Sequence, residues 1–431
     1  MISLEKIKHL KNSKLYESFT TSGLTFIFRI LGMGLSFLII RVIAKNFGIE
    51  TFGSFSIIQT IVNVLLIIFT LGIQNTLLIE FNRQELDQNS LFSFVNHTFK
   101  LVFFFMLIPS ILLIFYANFL AKSFNDTSLA NSFRLLGFFL FPILAHDIIV
   151  YYFIATKNYF KFGFFMFFLP NFLFIISLFF LNNEDKNITN ISLIYFISYL
   201  VTFFIEYSSI YLKNKKNRSY IPPYKSILKR SIPMMISWLM LYLLSWTDVI
   251  LLGIMSEPKE VGEYNLAYKI GSLLLIFLST YTAVALPKMS EYFERKEIHL
   301  LKKYLKKSSL NLTLVCLPFF LILLFFGNFV ISFFGETSSN TVQILVIISI
   351  SSMLSVFFGC VDQILNISNN QNTLLKINLF YFVANIILNI ILITYFGALG
   401  SAIATLVITI LMKLTCIFFI NKKLGFLPIG I

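Results

Sequence analysis

The sequence is short of charge. Only 13% of its 431 residues are Asp, Glu, Lys or Arg, about half the share of a soluble domain. Hydrophobic residues make up 57% and the mean hydropathy is +0.83. Too few polar groups remain to clothe a water-soluble body of this size, and disorder and fibrous repeats are excluded on the same grounds. Cysteine is scarce too. Cys316, Cys360 and Cys416 lie in apolar runs without paired spacing, so they read as core thiols rather than a disulfide framework or zinc site. Three of the four histidines, His9, His97 and His299, lie in polar or interfacial stretches, and no H-E-x-x-H, G-x-S-x-G or Walker sequence occurs. Hydrolytic and ATP-driven chemistry therefore has no signature here, and the chain reads as a non-enzyme without a cofactor.

What the chain has is long apolar runs. A bilayer core of about 30 Å takes roughly 20 helical residues. Twelve runs reach that length: 19–44, 52–79, 99–120, 134–155, 162–181, 191–212, 232–253, 262–287, 308–333, 341–366, 375–396 and 398–420. The expected fold is all-α and integral to the membrane. The first run is too long for a signal core, so no removed leader is expected.

Charge then sets the orientation. With the amino terminus inside, 25 of the 34 Lys and Arg fall on inner segments and 4 on outer loops. This bias puts both termini in the cytoplasm. It also makes the +14 net charge a topology signal facing anionic lipid rather than a nucleic-acid surface. The organisation that follows is a cytoplasmic stretch at 1–18, a six-helix bundle at 19–212 and a basic linker at 213–231. A second six-helix bundle occupies 232–420, and a cytoplasmic end occupies 421–431. Within the second bundle, 288–307 reads as an amphipathic segment on the inner surface, with Ile298, Leu301 and Leu305 on one side.

The halves echo each other. Phe52-Gly53-Ser54-Phe55-Ser56 opens the second run and Val261-Gly262-Glu263-Tyr264-Asn265 opens the eighth, 209 residues later (262 minus 53). That offset is close to half the chain and suggests a parallel duplication. Polar stripes at helical spacing mark several runs: Thr25, Arg29 and Ser36; Ser56, Gln59 and Asn63; Trp238, Tyr242 and Ser245; Asn265, Lys269 and Ser272. Those of the tenth and eleventh runs, including Asn385 and Asn389, read as glue between helices.

Ionisable groups inside a membrane are costly and mark function by default. Arg29, Asp248 and Lys269 lie deep, while Arg41 and Arg134 are within reach of the surface. Asp248, Asp147 and Asp362 are candidates for a proton or cation site. Equal depth on either side of a short loop predicts an Asp248–Lys269 ion pair. Glu206 and Lys413 read as members of structural pairs.

Four segments bear a family likeness. Asp248–Gly253 followed by Val261–Ile270 resembles the seventh–eighth span hairpin of bacterial polysaccharide-repeat flippases. Phe47–Gly53 resembles their first outer loop, Leu286–Ser290 their exit from span 8, and Phe396–Ala404 their last hairpin. The resemblance implies two six-helix bundles around a central cavity lined by spans 1, 2, 7 and 8. It implies an inner-membrane flippase for undecaprenyl-diphosphate-linked O-antigen or capsule repeats, H⁺- or Na⁺-coupled, working with polysaccharide polymerase machinery. Arg29, Arg41 and Lys269 would then take the diphosphate charge. Gln59, Asn63, Trp238, Asn265 and Tyr268 would meet sugar. A multidrug exporter of the same superfamily, which would favour an acidic cavity, and a membrane glycan polymerase or ligase, which would need a large outer loop, are the alternatives. The charge bias has a direct check: green fluorescent protein fused after Ile431 should fluoresce, whereas a fusion in the Ile254–Val261 loop should stay dark.

Overall fold

A computed structural model describes residues 14–74, 76–78, 88–181, 186–212, 223–335 and 338–427. Within them helix is the only regular structure. Lipid offers no hydrogen-bond partners, so a spanning backbone must satisfy its own N–H and C=O groups, and helices do this within one segment. The expected stretch before residue 14 and the centre of the basic linker, 213–222, lie outside the described residues.

The main helices are α1 (Lys14–Phe47), α2 (Ile49–Phe69), α3 (Gln88–Phe115), α4 (Leu129–Ala155), α5 (Tyr159–Phe179, with a π turn at Phe164–Phe168) and α6 (Ile188–Tyr211). They continue with α7 (Tyr224–Met255), α8 (Pro258–Gly271), α9 (Leu274–Glu294), α10 (Ile298–Phe325), α11 (Ser339–Phe358) and α12 (Gln371–Leu424). Among the described residues nine helices are long and apolar enough to cross a bilayer. The number is eleven when the bent α7 and the α8–α9 pair, bent by 44°, each count as one span. The last helix has 54 residues, about 80 Å if straight and more than twice a bilayer core. Gly397, at φ +54°, interrupts it between the runs 375–396 and 398–420. Large apolar side chains such as Phe104, Phe115, Phe138, Phe179, Phe325 and Phe329 are exposed, as residues bathed in lipid tails would be.

The chain forms two compact units. One unit takes the chain up to Ile43 and Ile58–Leu243; the other takes Ala44–Ile57 and Leu244 onward. The end of α1 and the start of α2 thus belong with the second unit, and the first two-thirds of α7 with the first. In the first unit α4 is central and packs against α3 and α6. Gly137 lets α3 in, because a Cβ there would come within 2.9 Å of the Ser110 carbonyl. In the second unit α11 is central and packs against α8, α10 and α12.

A pair of glycines brings two helices of the second unit together. A Cβ on Gly53 would lie 1.8 Å from the Pro258 carbonyl oxygen, and one on Gly262 would lie 2.1 Å from that of Ile49. Backbone therefore meets backbone where the first turns of α2 and α8 cross. The contact is reciprocal: positions 49 and 258, like 53 and 262, are the matched positions of the sequence echo. Close by, Glu260 accepts the Ala398 N–H at 2.9 Å, so a carboxylate caps the helix restarting after Gly397.

The expected amphipathic segment on the inner surface takes another form. Arg295–Glu297 breaks the chain, with Lys296 at φ +58°, and Ile298–Lys307 is the opening of the long α10. Leu301 and Leu305 do face a core, packing with Met289, Ile364 and Ile417. Substituting Gly53→Ala or Gly262→Ala should cost about 1–3 kcal/mol through overpacking. Gly34→Ala, where a Cβ meets nothing within 4 Å, should be neutral or stabilising by up to about 1 kcal/mol. Thermal unfolding of the purified variants in detergent checks the contrast.

Candidate functional site: buried carboxylates in each unit

In the second unit, three helical segments converge on Asp248 of α7. Tyr264 of α8 donates its hydroxyl to Oδ2 at 2.7 Å, Thr405 donates to the same oxygen at 2.7 Å, and Asn389 Nδ2 donates to Oδ1 at 2.9 Å. Ser401 donates to Asn389 Oδ1 at 2.8 Å, and Asn385 Oδ1 lies 3.2 Å from Asn389 Nδ2. Local sequence explains the assembly. Asn385/Asn389 and Ser401/Thr405 are two i,i+4 pairs, each on one face of its helix, and the chain reverses between them at Gly397. Asp248, Tyr264 and Asn389 are all buried. Every partner named is neutral, so the carboxylate is solvated by dipoles but its charge is uncompensated by them. Three neutral donors thus converge on one buried carboxylate.

The first unit holds a second polar cluster. His146 Nδ1 and Glu206 Oε1 are 3.0 Å apart, both buried, and the His146 ring meets Tyr199 edge-on. Glu206 Oε2 is buried without a hydrogen-bond partner among the described residues. The neighbouring Asp147 accepts from Gln74, which also reaches Thr70 at 2.7 Å. A cavity of about 120 Å³ opens beside Asp147, walled by Gln74, Tyr151, Met235 and Trp238.

The expected site residues distribute between these regions. Gln59 interacts with Tyr195, and Asn63 lies beside the Tyr242 hydroxyl, both in the first unit. Trp238 joins Asp147 at the cavity. Arg29 is exposed, next to Phe28, which packs on Phe160, Phe164 and Phe168; Arg41 is half-buried. In the second unit Tyr268 stacks on Tyr264 and meets Trp246, and Asn265 is buried with Oδ1 unsatisfied among the described residues.

The expected Asp248–Lys269 ion pair is not what the carboxylate makes. Tyr264 reaches Asp248, and Lys269, five residues on and therefore on another face of α8, lies over the Phe52 ring at 5.6 Å. Asp362 pairs with Lys413 at 2.7 Å, so its charge is neutralised in place. Glu206 and Lys413 both sit in pairs, in line with their structural reading. Sequence reasoning missed Thr405 and Ser401 and set Asn385 and Asn389 aside as glue. The signal available was two i,i+4 polar pairs flanking a glycine. Among the described residues no three His, Cys, Asp or Glu side chains gather as a metal cluster.

A family model described as "Polysaccharide biosynthesis protein" matches residues 21–293. The chain belongs to that family. A second model, MatE, matches residues 233–391. Two curated relatives from Haloferax volcanii are similar to it over part of their length. The probable low-salt glycan biosynthesis flippase Agl15 is 27% identical over 165 residues, covering 38% of this chain and 35% of that one. The probable flippase AglR is 25% identical over 187 residues, covering 43% and 39%. The matched segments span well under half of either relative. Both relatives bear the name of a probable flippase.

Among solved structures, the lipid II flippase MurJ in an inward closed conformation superposes with a TM-score of 0.74 at 19% identity, covering 94% of this chain and 87% of that one. An inward-facing multidrug resistance MATE family transporter of the MOP superfamily gives 0.71 at 14%, covering 93% and 98%. The fold is therefore that of MurJ and the MATE transporters, a multi-pass helical membrane protein.

Double-mutant cycles on folded yield separate the two kinds of carboxylate. Asp362→Asn or Lys413→Met alone should each cost about 3–5 kcal/mol by stranding a buried charge, with much of it regained in the double variant. Asp248→Asn and Lys269→Gln should instead add to within about 0.5 kcal/mol.

Proposed function

We propose that the protein is a flippase that carries undecaprenyl-diphosphate-linked oligosaccharide repeats, O-antigen or capsule units, across a bacterial inner membrane. The observation that carries the reading is the polysaccharide biosynthesis match over residues 21–293. The flippase names of the partial relatives and the MurJ-like fold support it. Lysine and arginine distribution orients the termini to the cytoplasm. The protein alternates its exposure between the two membrane faces. A diphosphate–sugar headgroup needs cations for charge and amide, hydroxyl and aromatic groups for sugar. Arg29, Arg41 and Lys269 supply the first; Gln59, Asn63, Trp238, Asn265 and Tyr268 supply the second.

Coupling to H⁺ or Na⁺ belongs to the same reading, and Asp248 is its centre. A carboxylate surrounded by neutral donors loses an uncompensated charge when a proton or Na⁺ joins it, so ion binding changes the cost of burying the nest. The ion then biases one conformation over another only through that difference in affinity. Asp147 is the second candidate, on the strength of its cavity. Asp362, already held by Lys413, ranks last. A working association with polysaccharide polymerase machinery completes the proposal.

The MatE match over residues 233–391 and the MATE neighbour favour a second reading, a multidrug exporter. The two differ in the sign of the cargo. Deleting the gene in its host and assaying the lipid-linked glycan tests both. The flippase reading expects glycan to accumulate on the inner leaflet, with export restored by the native chain and reduced at least tenfold in Asp248→Asn and in Arg29→Ala. Normal surface glycan in the deletion strain, together with heightened sensitivity to cationic drugs, would establish the exporter instead.

A further inference from the structure

A cleft in the second unit is lined by residues of α9 and α10 and by none of the residues around Asp248. It has a volume of about 640 Å³. Three lysines line it, Lys288 from α9 and Lys303 and Lys307 from α10, with Tyr281, Tyr292 and Tyr304 among its walls. Lys288 Nζ stands 5.9 Å from the Tyr292 ring centre and 5.4 Å from that of Tyr304, which fixes the ammonium against two aromatic faces. Among the described residues none of the three lysines makes an ion pair or a hydrogen bond. No acidic side chain lines the cleft, and the nearby Glu291 is engaged by Arg295 at 2.9 Å.

The lining of α10 follows a single helical face: 300, 303, 304, 307, 308, 311, 312 and 315. Polarity changes along that face. Lysines occupy the first turns, Ser308 and Asn311 the middle, and Leu312 and Val315 the far end. From Lys303 to Val315 the rise is about 18 Å. The exposed Leu314 beside it and Phe319 one turn further on continue the apolar surface. Three unneutralised cations at one end and an apolar floor at the other match a molecule with an anionic head and a hydrocarbon tail, lying parallel to the helices. A free anion makes no use of the apolar end.

We propose that this cleft is a lipid site, holding the phosphate or diphosphate head of a cytoplasmic-leaflet lipid on Lys288, Lys303 and Lys307. The first carbons of its chain lie against Leu312 and Val315. Basic pockets between membrane helices on this side hold such heads, and the tyrosines supply hydroxyls and a surface suited to the interface. The proposal rests on the membrane orientation, not on the identity of the transported substrate.

The test uses the full-length protein in detergent and native mass spectrometry, with undecaprenyl diphosphate as probe and inorganic pyrophosphate as competitor. Every variant carries Arg29→Ala and Lys269→Gln, so that the transport site proposed above does not hold the probe. Lys303→Gln/Lys307→Gln should weaken lipid binding about thirtyfold, from two contacts worth about 1 kcal/mol each. Lys302→Gln/Lys306→Gln removes the same charge from another face of α10, where Lys302 lies over Phe426, and should change binding less than threefold. Equal losses in the two variants would reduce the effect to diffuse charge and overturn the site. Pyrophosphate binding as tightly as the lipid would make it a free-phosphate site and also overturn it. Glycan export by the same variants is read separately. Lipid binding that follows the expected pattern supports the cleft even in an export-dead protein. Undiminished binding in Lys303→Gln/Lys307→Gln removes the cleft and leaves the flippase reading intact.

Discussion

An ion taken out of water has to be compensated where it sits, and in a chain this apolar that requirement shapes every polar cluster. Lys413 and Asp362 meet the requirement by direct pairing at 2.7 Å. Glu206 meets His146, whose charge depends on a proton, and so forms a softer pair. Asp248 takes a third course, with Tyr264, Thr405 and Asn389 supplying dipoles and no charge. The three solutions are not equivalent. A fixed pair resists ions, because its charges are already matched. A dipole nest stays responsive, because adding one positive charge improves its balance.

Fold and site connect through the reversal at Gly397. Glu260 caps the restarted helix, Asn385 and Asn389 come from one side of the turn, and Ser401 and Thr405 from the other. Glu260, in the first turn of α8, therefore supports the geometry that Asp248 uses. Two of the segments that carry the family likeness, the seventh–eighth hairpin and the last one, are joined by this contact.

Much of this was legible in sequence, because lipid makes composition decisive: spans, helical class, family resemblance and the ionisable residues worth watching all follow from apolar runs and the charges that interrupt them. Pairings were harder to read. Equal depth suggested that Lys269 meets Asp248, but depth leaves rotation about the helix axis free. The 100° step per residue turns Tyr264 toward the carboxylate and Lys269 toward Phe52. The partners on α12 were hidden for another reason. Asn and Ser on an apolar helix serve packing and ion binding with the same side chains, and only a carboxylate more than a hundred positions away distinguishes the uses. The close approach of α2 and α8 was hidden because Gly53 and Gly262 look like ordinary helix glycines until their neighbours are known.

Those two glycines also set how the second unit can move. Where side chains fill an interface, rotamers can exchange one at a time and the joint creeps. Here carbonyl oxygens of Ile49 and Pro258 occupy the space where Cβ atoms would stand, and backbone has no rotamers to exchange. At the crossing of α2 and α8 there is consequently no side chain at either glycine to give way, and a Cβ at either one has to push the helices apart. Because matched positions touch from both sides, parting the crossing releases both contacts in the same event.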